Sequence, residues 1–220
     1  MLNHTIRLFD YDYRDILDKL VRKHYEPVII LTKLNKNYFD DKTISVENIK
    51  QFGIDMQKIM NHHTCMYCIV PNNKIGEVTV GLKESGMNVR NVLTIPVTTN
   101  YCKGHNIPNR KSYNENQLMY AVYATKCGCG RNLNYSKLSG CPCCTCDHSA
   151  MWSWFKGNEI DAMKTMIRLS SDHRDEVFDP FMGNGDTGVA AIRTDRHYFG
   201  TEPDGGKFRA TKDRLDCLGE

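Results

Sequence analysis

The sequence predicts an α/β domain: a largely parallel sheet packed between helices. Three observations carry that prediction. Apolar, β-branched runs alternate with stretches of helical spacing along most of the chain. One run, Pro27-Val28-Ile29-Ile30-Leu31, is apolar at every position, as a strand covered on both faces requires. Near the C-terminus, Val177-Phe178-Asp179 leads through Pro180-Phe181-Met182-Gly183-Asn184-Gly185-Asp186-Thr187-Gly188 into Val189-Ala190-Ala191-Ile192. That order reads as a strand, a tight glycine loop and the start of a helix. A chain of 220 residues supplies one domain, 1–220, with a sizeable core and room for a small insert.

The other elements follow in chain order. Ile6 to Leu20 reads as a short strand, a turn and a helix, with Leu17, Leu20 and Val21 on one stripe. Val46 to Met60 is an amphipathic helix carrying Ile49, Phe52, Met56 and Ile59 on one side. Cys65 to Val70 reads as a strand. Its two cysteines, Cys65 and Cys68, lie an odd number of residues apart, so their side chains point to opposite faces. They are predicted as core cysteines, and His62 and His63 before them as surface turn residues. Ile75 to Ser85 is a helix closed by Gly86, and Val89 to Val97 a further strand. Gly104 to Asn109 reads as a polar loop, and Asn114 to Lys126 after it as a buried strand. Gly157 to Ser171 is a helix feeding the glycine loop, and His197 to Glu202 a strand with an acid at its end.

The glycine loop has a chemical meaning. Glycine turns the backbone at positive φ and lets it approach a ligand. Free N–H groups at a helix start suit an anion such as a carboxylate. An acid this far downstream is placed to bind ribose hydroxyls. Loop, spacing and acid together resemble the S-adenosylmethionine-dependent DNA amino-methyltransferases, in the permuted arrangement that puts the loop near the C-terminus. The matching residues are Asp179-Pro180-Phe181, Gly183, Gly185, Thr187, Ala190-Ala191, Arg196, Phe199-Gly200, Glu202 and Arg214-Leu215. The resemblance implies a Rossmann-like methyltransferase fold. It also implies S-adenosylmethionine as cofactor, held by Asp12, Asp179, Phe181, Gly183, Gly185 and Glu202. Asp12, in Tyr11-Asp12-Tyr13-Arg14-Asp15-Ile16-Leu17, matches the family's opening aspartate, which accepts a hydrogen bond from the adenine amine. Asp10 takes its place if the register slips by two. Asp186 replaces a threonine of the pattern and puts a carboxylate near the expected methionine carboxylate. Asn184 replaces a serine.

The resemblance breaks where catalysis belongs. The family places D-P-P-Y, or a close variant, directly after the strand that is Pro27 to Leu31 here. Its aspartate and a backbone carbonyl accept hydrogen bonds from the exocyclic amine of a flipped-out base. Its aromatic residue stacks on that base. This chain reads Thr32-Lys33-Leu34-Asn35, with neither carboxylate nor ring. Tyr38 with Asp40 is the fallback pair if the loop is shifted. Two readings stay open. One is methyl transfer to an exocyclic amine of adenine or cytosine in DNA. The other is a catalytically silent nucleic-acid-binding chain or partner subunit.

Ten cysteines are many for this length, and six fall between Cys127 and Cys146. With no secretory signal read, such clustering favours metal over disulfides. Cys127-Gly128-Cys129 and Cys141-Pro142-Cys143-Cys144 flank a short hairpin, so 127–148 is predicted as a cysteine-rich insert holding structural zinc. The ligands chosen are Cys127, Cys129, Cys141 and Cys144, with Cys143, Cys146 and His148 as spares. The net charge of +3 decides little. Between Tyr101 and Lys137, however, six basic residues meet one acid, which is compatible with a phosphate-facing segment. DNA is the expected partner, with RNA not excluded, and so is a homodimer or a pairing with an active methyltransferase chain. No apolar run is long enough for a membrane span, and an intracellular location is expected.

Overall fold

The computed structural model describes residues 5–96, 118–128, 133 and 158–219. Among them, seven strands form one sheet. The strands are β1 (Ile6–Phe9), β2 (Ile29–Lys33), β3 (Cys65–Pro71), β4 (Asn88–Pro96), β5 (Leu118–Thr125), β6 (Glu176–Asp179) and β7 (His197–Thr201), in the spatial order β1-β7-β6-β2-β3-β5-β4. The first five in that order run parallel, and β5 pairs antiparallel with both β3 and β4. The sheet is therefore largely parallel as predicted, with β5 the one reversed strand. Its direction follows from pairing with distant strands, which local sequence does not encode.

Among the described residues, six helices cover the two faces. On one side lie α1 (Tyr13–Arg22), α2 (Val46–Gln57) and α3 (Ile75–Glu84). They bury Leu17, Phe52, Met56, Val78 and Leu82 against Ile30, Cys68 and Phe178. On the other lie α4 (Glu159–Ser170), α5 (Asp186–Ile192) and α6 (Gly205–Gly219). They bury Met163, Met166, Ile167, Val189 and Leu215 against Ile29, Leu31 and Cys65. Alternate residues of β2 thus enter opposite cores, which is why that strand must be apolar throughout. Cys65 and Cys68 likewise divide between the two cores, both fully buried. Local signals set the helix starts. Asp12 caps α1, Ser45 caps α2, and Asn158 with Asp161 forms a capping box at α4.

The strand order creates a topological switch. From β2 the chain moves through α2 to β3 on one side. From β6 it moves through α5 to β7 on the other. A crevice must open beyond the C-terminal ends of β6 and β2, where the connections diverge.

Candidate functional site

The glycine loop emerges from β6 into that crevice. Gly183 has φ +52° and Gly185 has φ +79°, both left-handed, as a turn this tight demands. The loop is tied from several sides. Met182 N–H donates to the Thr201 carbonyl (2.9 Å), and Gly185 N–H to the Met182 carbonyl (2.8 Å). The Thr201 hydroxyl donates to the Pro180 carbonyl (2.8 Å). From α6, the Thr211 hydroxyl donates to the Gly183 carbonyl (2.6 Å). Thr211 carries no sequence signal, because only the fold brings it to the loop.

Two cavities meet at the end of β2. The first, of about 400 Å³, is lined by Lys33, Leu34 and Asn35 on one wall. Asp179, Phe181, Gly183 and Thr187 line the other, and Tyr38 and Asp186 also face it. The second, of about 540 Å³, shares Lys33, Leu34 and Asn35 and extends over Ile44, Pro71 and Met119, with Lys36, Lys42 and Lys74 at its edge.

Of the predicted cofactor residues, Asp179, Phe181 and Gly183 line the first cavity, and Gly185 underlies it as the cap of α5. Asp179 is buried, accepting from Phe181 N–H (3.1 Å) and from the Tyr198 hydroxyl (3.4 Å). Burial pushes its carboxyl up to about 6, against the lowering effect of these and other hydrogen bonds. Glu202 is fully buried. Its Oε2 accepts from Gly183 N–H (2.9 Å) and from the Tyr38 hydroxyl (2.9 Å), and its Oε1 accepts from Asp204 N–H (3.1 Å). Asp12 stands apart from the cavity. Its carboxylate caps α1 through Arg14 N–H (2.9 Å) and takes the Arg14 guanidinium at 2.9 Å on each oxygen. Asp186 meets a cation: Arg214 Nη1 lies 2.8 Å from Asp186 Oδ1 and also donates to the Asn184 carbonyl (2.6 Å). The charge that departs from the family pattern is thus balanced from α6.

Each of the four residues at the position expected to be catalytic has a structural task. Thr32 and Lys33 still belong to β2, paired with Cys68 and Ile69, and Thr32 is fully buried. Lys33 bonds Glu159 Oε2 at 2.7 Å. Leu34 is buried in the core. The Asn35 side chain accepts from Asn37 N–H (3.1 Å), capping the short 3-10 turn Lys36–Tyr38. The fallback pair does not come together either. Tyr38 turns into the first cavity, whereas Asp40 is 86% exposed and held by Arg14 at 3.2 Å.

Of the predicted zinc ligands, Cys129, Cys141 and Cys144 lie outside the described residues, as do the spares Cys143, Cys146 and His148. Among the described residues no cluster of three or more His, Cys, Asp or Glu is placed to hold a metal ion. Cys127 is described, and His62 Nδ1 lies 3.3 Å from its sulfur. His62 is exposed and lies in a turn, as the sequence predicts, and from there it makes this contact, for which the sequence carries no signal. Most of the basic segment from Tyr101 to Lys137 is outside the described residues too. Its Lys126 is engaged with the Met60 carbonyl at 2.8 Å.

Residues 160–213, running from α4 through the glycine loop into α6, match a family model described as DNA methylase, of the N6/N4 type. Over these residues the chain resembles the DNA amino-methyltransferase family. Solved structures agree on the fold. M1.HpyAVI in complex with SAM superposes with a TM-score of 0.70 at 20% identity, covering 96% of this chain and 100% of that one. TTHA0409 of Thermus thermophilus, complexed with S-adenosyl-L-methionine, gives 0.64 at 15% identity, covering 98% and 95%. PvuII DNA methyltransferase, cytosine-N4-specific, gives 0.66 at 11% identity, covering 97% and 91%. No curated protein matches the chain. Among the described residues, no helix is long and apolar enough to cross a membrane.

Proposed function

We propose that this chain binds S-adenosylmethionine in the first cavity and a base flipped out of DNA in the second, for methyl transfer to an exocyclic amine of adenine or cytosine. The observation that carries this reading is the meeting of the two cavities at Lys33, Leu34 and Asn35. One is walled by the glycine loop, and the other is rimmed by Lys36, Lys42 and Lys74. Cations at that rim suit a phosphate backbone.

The residues fit the cofactor in kind. Gly183 and Gly185 bring main chain close to the cavity, Phe181 offers an aromatic face and Glu202 would hold sugar hydroxyls, whereas Asp12 would reach the base's amine only after release from Arg14. S-adenosylmethionine supplies an electrophilic methyl group on a sulfonium. Tyr38 acts as a stand-in within the same cleft. Its ring stacks on Phe181 (centroids 4.6 Å apart, 16° between planes), and its hydroxyl meets Glu202 as a sugar hydroxyl would.

A second reading is favoured by a separate observation: Thr32, Lys33, Leu34 and Asn35 are all engaged in the fold. In that reading the chain is a silent member that binds cofactor and nucleic acid, alone, as a homodimer or beside an active methyltransferase chain. Calorimetry with S-adenosylmethionine, run beside transfer of labelled methyl to DNA, separates the two. Binding with transfer is expected for the enzyme. Binding without transfer leaves only the silent chain, and an absence of binding defeats both.

We also propose that the 127–148 insert is a hairpin pinned by structural zinc. In support, His62 Nδ1 and Cys127 Sγ lie 3.3 Å apart, close to the roughly 3.5 Å expected between a nitrogen and a sulfur sharing one tetrahedral zinc. His62 thus joins Cys127, Cys129, Cys141 and Cys144 as a candidate ligand. Protein purified under reducing conditions is expected to carry about one equivalent of zinc, and less of it after His62→Ala. Retention below about half an equivalent in the unaltered chain would argue against the metal.

A further inference from the structure

The Glu202 carboxylate, the residue best placed to grip a sugar, is closed to any ligand. Its exposure is zero, and both oxygens already accept hydrogen bonds within the chain. One of those donors, Gly183 N–H, belongs to the loop itself. The donor that seals the group from the cavity side is the Tyr38 hydroxyl. The same tyrosine stacks on Phe181 and carries the Lys207 ammonium 5.4 Å from its ring centroid. A Cβ placed on Gly183 would come within 3.0 Å of the Tyr38 oxygen, so the ring rests directly on the bend that should receive the ligand. Downstream, Asp40 is clamped by Arg14, which also holds Asp12. Thus the segment 35–40 is fastened at Asp40 to Asp12, through Arg14, and at Tyr38 to Phe181 and Glu202. These are three of the six residues expected to hold the cofactor.

We propose that segment 35–40 is an internal plug, in which Tyr38 occupies the nucleoside subsite and must leave before S-adenosylmethionine or a related adenosyl ligand can enter. The proposal rests on the cofactor reading above and adds its regulation. Two contacts that the ligand needs, the face of Phe181 and the carboxylate of Glu202, are each already made by Tyr38. Binding and plugging are therefore mutually exclusive, and affinity falls by the fraction of molecules that are open. The clamp at Asp40 is exposed, so it weakens with salt and holds the plug less strongly than the aromatic stack does. The plug also connects the two cavities. Asn35 begins the segment and lines both, so its release on cofactor entry would reshape the wall facing the target base.

S-adenosylhomocysteine serves as the probe. The readouts are calorimetric affinity and hydrogen exchange over residues 34–42, so activity is not required. Tyr38→Ala is expected to bind the probe about tenfold or more tightly than the unaltered chain, and Asp40→Ala about two- to fivefold. In the unaltered chain, exchange across 34–42 is expected to rise on adding probe, because the plug is expelled. Equal or weaker binding by both variants, with exchange that falls on adding probe, would overturn the plug: Tyr38 would then be a wall of the site that closes over its ligand, and the cofactor reading would stand. Failure of all three proteins to bind would remove the cofactor reading itself, and the plug with it. Asp40→Ala alters an exposed side chain, so it keeps the test decisive even if Tyr38→Ala does not fold.

Discussion

Gly185→Ala is expected to lower folding stability by about 3 kcal/mol, from two separable sources. The first is conformational. Gly185 caps α5 at φ +79° and ψ 19°, and an L-residue held there loses about 1–2 kcal/mol. The second is steric. The added Cβ would sit 2.6 Å from Thr211 Cγ2, and overpacking of this kind typically costs about 1–3 kcal/mol. Thr211 cannot easily retreat, because its hydroxyl is bonded to the Gly183 carbonyl and its helix packs on the loop. Thr211→Ser removes the offending methyl while keeping the hydroxyl. The next atoms of residue 211, Cβ and Oγ1, lie 3.6 Å from the added Cβ, an ordinary contact. The double variant Gly185→Ala with Thr211→Ser should therefore recover the steric part and retain a deficit of about 1–2 kcal/mol. Urea unfolding of the four proteins in this cycle measures both parts. A double variant no more stable than Gly185→Ala would show that the contact with Thr211 is not what makes glycine necessary.

That cycle also shows what a sequence can and cannot disclose. The need for glycine at 183 and 185 was legible from the strand–loop–helix order, because a tight turn toward a ligand has few other solutions. The partner that enforces it at Gly185 was not, since Thr211 lies a helix, a strand and part of the next helix further on. β2 was legible because a strand feeding two cores is apolar at each position. Its end was not. The strand runs to Lys33 rather than stopping at Leu31, since Thr32 and Lys33 continue the register with Cys68 and Ile69. That extension draws half of the expected catalytic position into the sheet. Asp12 was recognisable as an acid at the right place, yet a helix start makes the same demand for a short polar side chain, and here the carboxylate serves the cap and Arg14. The seal on Glu202 joins residues 164 apart in sequence, and the His62–Cys127 contact joins residues 65 apart. Contacts of that range leave no local trace.

Asp179→Asn is expected to gain stability relative to the unaltered chain as pH rises from about 4 to 7, by as much as about 3 kcal/mol. The sign follows from the direction of the shift. Burial raises this carboxyl from 3.8 to about 6, so the folded chain binds its proton more tightly than the unfolded chain does. The favourable contribution of the protonated group is complete below about pH 4. It is lost progressively as pH rises to and through about 6, as the carboxyl is forced to ionise inside the protein. An asparagine has no proton to release, so its stability lacks this decline while every other titrating group is shared. The quantity to measure is thus the difference between the two unfolding free energies at a series of pH values, which cancels the remaining carboxylates. A difference that stays flat, or that narrows with rising pH, would mean that the donors around Asp179 hold the anion more strongly than burial opposes it. The expected widening would instead mark Asp179 as a carboxylate kept at a stability cost. It sits on the cavity wall between the end of β6 and the glycine loop, where a buried charge is of use to a ligand and not to the fold.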